Sequence, residues 1–345
     1  MTAKAARALL RPEGAPSPER LVAAVRRGLR LSDTVPVSLR EEGELANINY
    51  VYRVELPDRS LYLKVVRERP KRFPVRLPEE RLFSEAEALR RFRRLASREI
   101  VIPEVFFLDV QEMALGMSDV GESRQVLFGV ISDRFELLTE QAAVLGRTLG
   151  TIHRATRGGG TLRPVQEEAI IRKVVFEGLL APGAKQAFPE TWESVNAEMQ
   201  RHTECLIHAD LWSKNLLVRC GEPVAVVDFE GVCYGDPAFD LGTLSAVALL
   251  PALDKPALLI DALSFIGRLM QSWASACGSD DWYYEVLPRA FRATATFLAT
   301  RGFGPFAYTL SDEARRRLVQ VARPLAAEPP ADLEGFQALV VRHSN

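Results

Sequence analysis

The chain has 345 residues, 47% of them apolar and 26% charged, and carries a formal net charge of −1. That composition excludes a disordered or fibrous chain and allows a large apolar core that needs neither disulfides nor structural metal. The even charge balance argues against nucleic-acid binding through a bulk basic surface, and no apolar run reaches the ~18–20 residues of a membrane span.

In chain order, "MTAKAARALLRP" is basic and alanine-rich and lacks the apolar region of a secretory signal, so it reads as a loosely ordered tail. "SPERLVAAVRRGLRL" (17–31) has a serine cap, Pro18 at the first helical position and an early glutamate, which are helix-start signals. "VPVSLREE", "NINYVYRVEL" and "SLYLKVVRE" alternate and are rich in Val, Tyr and Leu, so they are predicted strands. "EERLFSEAEALRRFRRLAS" (79–97) is a predicted amphipathic helix, with Leu82, Phe83, Ala86, Leu89 and Leu95 on its apolar face. "VIPEVFFLDV" and "EMALGMSD" are two further strands. After the polar "DVGESR" the pattern is mostly helical, at 139–156 and within 165–203, then at about 238–250, 256–276, 284–300, 311–327 and 331–342. Two short strands, "CLIHA" and "VAVVDF", interrupt it. The expected architecture is α+β and two-lobed. A small antiparallel-sheet lobe with a helical extension spans 1–118, a hinge 119–124, and a larger helical lobe 125–345. Ligands often bind where two lobes meet.

Four cysteines, Cys205, Cys220, Cys233 and Cys277, form no C-x-x-C pair, which excludes the common zinc and redox motifs. Cys205 and Cys220 lie in apolar contexts and read as small core residues. This usage fits a reducing cytoplasm.

The polar residues that interrupt this pattern form an ordered set. Lys64 sits in a strand and, by alternation, faces away from Leu63 and Val65. It is either a surface lysine or a phosphate-pairing one. Glu85, on the next helix, borders the apolar stripe and could hold Lys64 in place, although Glu80 and Glu87 compete for that role. "HADLWSKNLL" puts Asp210 and Asn215 five residues apart ahead of an apolar run. Turn chemistry alone could explain both. A phosphoryl transfer needs a carboxylate to orient and deprotonate the attacking hydroxyl, and oxygen ligands for a metal beside the phosphates. Asp210 suits the first task and Asn215 the second. Asp228 ends the strand "VAVVDF" and is a second candidate ligand; Glu230 is a third, or a loop charge. His208 reads as a brace for the loop. Between the first strands the chain offers a single glycine, Gly43, as a phosphate loop, with Asn47 and Asn49 able to donate hydrogen bonds in place of further glycines.

Taken together, the strand lysine, helix glutamate, H-x-D-x-x-x-x-N and later D-F-E resemble the protein-kinase-like fold, in its aminoglycoside-phosphotransferase and choline-kinase branch. The resemblance covers about residues 40–330. It implies ATP and Mg2+ as cofactors, with Asp210 as base, Asn215 and Asp228 as metal ligands, and Lys64 with Glu85 positioning phosphates. It also implies that Asp240 braces the catalytic loop; from the residues alone Asp240 is an acid favoured by a helix N-terminus. Protein kinases carry a long segment ending in A-P-E after the metal aspartate. Here 11 residues separate Asp228 from Asp240 and no A-P-E occurs, which points to a small-molecule hydroxyl as acceptor.

Within that branch, "ANINYVYRV", "FSEAEALR" and "IPEVFFLDVQEMALGM" are similar to methylthioribose kinase. "TRGFG" (300–304) keeps one of that family's paired arginines, Arg301, which becomes a substrate contact or a surface arginine. That family carries Ser in place of Asn215 and Pro in place of Phe229, so the core is closer to the general phosphotransferase pattern. Beyond residue 250 ten acids balance ten bases, which gives no support for a polycation site. Trp273, Trp282, Tyr283 and Tyr284 form either an aromatic cage for a choline-type cation or core packing. The expectation is an ATP- and Mg2+-dependent kinase of a methylthioribose-like sugar or other metabolite. An aminoglycoside or choline/homoserine-type kinase is the alternative, and a nucleotide-binding pseudoenzyme the alternative of another class. A cytoplasmic chain is expected, with no nucleic-acid or membrane partner and a homodimer allowed.

Overall fold

The computed structural model describes residues 16–42, 48–71, 75–96, 98–121 and 123–344. The expected tail, Gly43 and Asn47 lie outside them. The chain divides into two compact units, Met1–Arg93 with Pro103–Glu122, and Arg94–Ile102 with Ser123–Asn345.

The first unit opens with α1 (Pro18–Leu29), capped by the Ser17 side chain, which accepts from the Arg20 amide. The strands are β1 (Ser38–Glu41), β2 (Tyr50–Glu55), β3 (Ser60–Val65), β4 (Val105–Asp109) and β5 (Ala114–Ser118), with α2 (Arg81–Leu95) between β3 and β4. They pair antiparallel in the order β1-β2-β3-β5-β4. Alternation sends Val54, Leu61, Leu63 and Val65 to one face, where they bury with Phe107 against Leu21 and Val25 of α1. The helix is pinned at its polar rim, where Arg20 meets Glu112 at 2.7 Å and Arg27 meets Asp109 at 2.8 Å. On α2, Leu82, Ala86, Leu89 and Phe92 are buried, as a 3.6-residue period demands. Phe83, expected on that stripe, is instead exposed, because it lies one position off the buried row.

The second unit begins with β6 (Gln125–Val126), the single turns α3 (Leu127–Val130) and α4 (Glu136–Thr139), and α5 (Ala142–Ala155). Then come α6 (Val165–Lys173), a π-helical turn (Val174–Leu180), α7 (Ala181–Ala187) and α8 (Trp192–Arg201). The strands β7 (Cys205–Ile207), β8 (Leu216–Val218), β9 (Ala225–Val226) and β10 (Cys233–Gly235) follow. They pair as β7 with β10 and as β6-β8-β9. Five helices complete the unit: α9 (Pro237–Asp254), α10 (Leu259–Cys277), α11 (Asp280–Phe303), α12 (Asp312–Ala327) and α13 (Leu333–Ser344). Every residue of α9 from Pro237 to Leu253 is buried, so it is the core helix rather than an amphipathic one. Its neighbours lie close where side chains are absent: Gly242 backs onto Ala293, and Gly150 of α5 onto the Trp273 carbonyl of α10. Cys205 is buried as expected, whereas Cys220 is exposed, because β8 ends at Val218 and the chain turns through Gly221 at φ 70°. Among the described residues no helix is long and apolar enough to cross a membrane.

Candidate active site

The loop between β7 and β8 carries Asp210 and Asn215. Ala209 takes a left-handed φ of 64°, which turns the chain after β7. A non-glycine residue holds that conformation only when its surroundings fix it, and the fixing group is Asp240. Its carboxylate accepts from the His208 amide at 2.8 Å and from the Ala209 amide at 2.9 Å. Asp240 lies in the first turn of α9, fully buried. Behind it stands His153 of α5. The Trp273 indole N–H donates to His153 Nδ1 at 2.9 Å, and indole is a donor only. A neutral His153 therefore carries its proton on Nε2, which faces Asp240 Oδ2 at 3.3 Å. Tryptophan, histidine and aspartate thus form a buried relay of hydrogen bonds that ends on the loop amides. His208 braces the loop from inside: its Nδ1 accepts from the Asp210 amide at 3.3 Å, and its ring meets Phe229 edge-on at 4.6 Å.

Asn215 clasps Asp210 directly. Its Nδ2 donates to the Asp210 carbonyl at 2.9 Å and to the carboxylate at 2.6 Å. This uses the amide's donor end and leaves its oxygen as an acceptor. The next strand is anchored to the same residue, since the Val227 amide donates to the Asn215 carbonyl at 3.0 Å. One residue on, Asp228 sits at φ 64°, ψ 74° and starts a short turn, Phe229–Gly231. Arg163 holds that turn through the carbonyls of Glu230 and Val232. The Asp210 carboxyl is pushed up to about 7. Burial is the largest cause; the negative charges of Asp228 and Glu230 add to it, while Arg301 and the Asn215 hydrogen bond oppose it. Among the described residues no three His, Cys, Asp or Glu side chains gather to hold a metal ion, so the oxygen donors offered to magnesium here are the Asn215 amide and the Asp228 carboxylate. Two such donors suit an ion that takes its remaining ligands from phosphates and water.

Lys64 and Glu85 meet in the first unit, Nζ to Oε1 at 2.8 Å, both essentially buried. Asn49 is buried too, and its Oδ1 accepts from Arg81 at 2.8 Å. Arg81 in turn donates to the carbonyls of Leu77, Pro78 and Arg67. This bonding gives Asn49 a structural partner.

Arg301, in the last turn of α11, lies with its guanidinium on the face of the Trp212 ring and close enough to Asp210 to lower its carboxyl pKa. Trp212 stacks on Tyr308 with centroids 5.7 Å apart, and the Tyr308 hydroxyl bonds Ser213 Oγ at 2.7 Å. Of the four aromatic residues suggested as a cage, Trp273 and Trp282 are core: their indoles donate to His153 and to Glu204. Tyr284 is exposed. Sequence reasoning missed His153, Arg163, Trp212 and Tyr308. A buried-helix histidine and a loop arginine carry no spacing signal, whereas Trp212, between Asp210 and Asn215, could have been suspected from position alone.

Two solved structures share the overall fold. Spectinomycin phosphotransferase APH(9)-Ia, in complex with ADP and spectinomycin, is 12% identical, with 96% of this chain and 98% of that chain covered and a TM-score of 0.51. An aminoglycoside phosphotransferase from Alicyclobacillus acidocaldarius is 14% identical, with 97% and 98% covered and a TM-score of 0.51. No curated protein sequence matches the chain. The fold is protein-kinase-like, α+β with a small antiparallel sheet. The profile of the phosphotransferase enzyme family (APH) matches residues 44–276, more than half of the chain. The chain belongs to that family and is an enzyme, a phosphotransferase.

Proposed function

We propose that the protein transfers the terminal phosphoryl group of ATP to a hydroxyl of a small molecule, with Mg2+ as cofactor. The observation that carries this reading is the clasp of Asn215 on Asp210, fastened from below by Asp240. Asp210 orients the acceptor hydroxyl and takes its proton as the oxygen attacks phosphorus. Asn215 Oδ1 and Asp228 would hold the metal, with Glu230 as a further or water-bridged ligand. The metal, when bound, neutralises charge on the phosphates. Lys64, paired with Glu85, would hold the α and β phosphates, which assigns nucleotide binding to the first unit. Asn49 supports that unit through Arg81. Little covalent chemistry falls to the protein, so its contribution is positioning and fixed charge.

The 11-residue gap between Asp228 and Asp240 supports a metabolite acceptor, since it leaves no room for a long peptide-docking segment. Methylthioribose-like sugars, amino alcohols, homoserine and aminoglycosides make up the acceptor screen that tests this reading, with ADP release as the readout. Asp210→Asn is expected to lower kcat by about 100-fold or more on the acceptor found, the scale of lost general-base catalysis. Turnover near that of the parent chain would remove Asp210 from the role.

A further inference from the structure

Resting on the phosphotransfer reading of Asp210, we propose that the acceptor carries an anionic group, a carboxylate, and that Arg301 receives it beside that aspartate, with Lys214 adding positive charge at the other end of the same aromatic run. Both cations belong to one aromatic assembly. Arg301 lies on Trp212, Trp212 stacks on Tyr308, Tyr308 meets Phe128 at 4.8 Å, and Lys214 Nζ stands 5.0 Å from the Phe128 centroid. Three rings therefore run between two positive charges. The assembly is pinned at its middle by the Tyr308–Ser213 hydrogen bond and by the Tyr308 amide, which donates to the Arg301 carbonyl at 2.7 Å.

Arg301 differs from the buried arginines Arg81, Arg163 and Arg67, each of which hydrogen-bonds through its terminal nitrogens. Arg81 bonds Asn49 and three carbonyls, Arg163 bonds Glu167 and the carbonyls of Glu230 and Val232, and Arg67 bonds the carbonyls of Val66 and Glu112. Arg301 has five N–H donors. Its Nε is buried without a partner, and among the described residues none of the five meets an acceptor. Neither Arg301 nor Lys214 forms an ion pair among the described residues. Both are partly buried, and burial brings Arg301 down to about 9 against the opposing charge of Asp210. A guanidinium Nε buried without an acceptor is costly to keep unless a ligand answers the charge it carries. A carboxylate matches its fork and its charge. The same geometry disfavours a cationic acceptor. The aromatic face that would take an ammonium group is already covered by Arg301.

The test uses the full chain loaded with ADP and Mg2+ and probe pairs that differ mainly in charge: glycerol and glycerate, ribitol and ribonate, with aminopropanol as the cationic member. Saturation-transfer NMR reads binding, and ADP release reads turnover with ATP. The carboxylate members are expected to lead by about tenfold or more, the scale of one charge-assisted hydrogen bond. Arg301→Gln should erase that lead through the acceptor's KM and leave ADP affinity unchanged; Arg301→Lys should restore part of it. A lead for neutral or cationic probes overturns the proposal, as does a failure of every carboxylate probe to bind. So does an Arg301→Gln variant that loses ADP affinity instead, because the anion then belongs to the nucleotide. Carboxylate binding that depends on Arg301, without turnover of any probe, would sustain the anion site and refute the phosphotransfer reading.

Discussion

Lys64 and Glu85 show how much a single pair can carry in this chain. Both are buried, so removing one partner leaves the other's charge uncompensated, at a cost of about 3–5 kcal/mol, whereas replacing both with apolar residues of similar volume is often close to neutral. Lys64→Met is therefore expected to lower urea-unfolding stability by that amount, and Lys64→Met with Glu85→Leu to recover most of it while ATP-dependent turnover stays lost. Asp210 makes a prediction of the opposite kind. Its carboxyl is raised from 3.8 to about 7, chiefly by burial and then by Asp228. The folded chain thus holds a proton that the unfolded chain releases, and the stability gained from it is full below 3.8 and lost as pH rises through about 7. Asp210→Asn, which cannot ionise, should gain melting temperature over the parent chain as pH is taken from 5 to 8. Added Mg2+ should narrow that gap by stabilising the parent's carboxylate. At this scale the sequence was informative about residue types that chemistry demands at fixed spacing. Lys64, Glu85, Asp210 and Asn215 stand where alternation, helical period and the loop motif put them. Arg301 was visible only as one arginine in a motif; its idle donors are a property of what packs around it.

At the scale of elements, the catalytic loop has little regular structure of its own and takes its shape from α9, α5 and α10. Asp240 supplies two buried, charge-assisted hydrogen bonds to its amides, each worth about 1.5–3 kcal/mol. Asp240→Ala should lower kcat sharply while ADP affinity changes little, because the loop loses its left-handed turn at Ala209 and the first unit is untouched. Single-turnover kinetics beside ADP titration would separate the two; an equal loss in both would contradict the assignment. The helices were largely readable, because their apolar periods are long and their caps explicit, as at Ser17, Ser279 and Ser311. The two-residue strand β6 and the three-residue β10 fall below the length at which period 2 can be recognised, whereas β9 lies inside the expected strand "VAVVDF". Phe83 was misplaced because an apolar residue one position off a helical stripe looks the same in sequence as one on it. The Trp273–His153–Asp240 relay joins residues 120 and 87 positions apart, and no local pattern announces it.

For the whole molecule, membership of the phosphotransferase family fixes the reaction class, while the acceptor remains a matter of side chains close to Asp210. The family's common motif was legible because phosphoryl transfer needs the same groups whatever the acceptor. Of the residues proposed for acceptor recognition only Arg301 was named from sequence, because Trp212 and Tyr308 reach it from a loop and an irregular segment. One feature of the first unit bears on handling the protein. With α1 in place, Tyr52, Val54, Leu61, Leu63 and Phe107 are sealed under Leu21 and Val25. Starting the chain after Leu31 would bare that whole apolar face to water, and a patch of this kind recruits copies of itself. The helix that precedes the kinase-like elements therefore acts as a solubility cover. A chain shortened to the family-matched segment should sediment as aggregates even if its catalytic loop is intact.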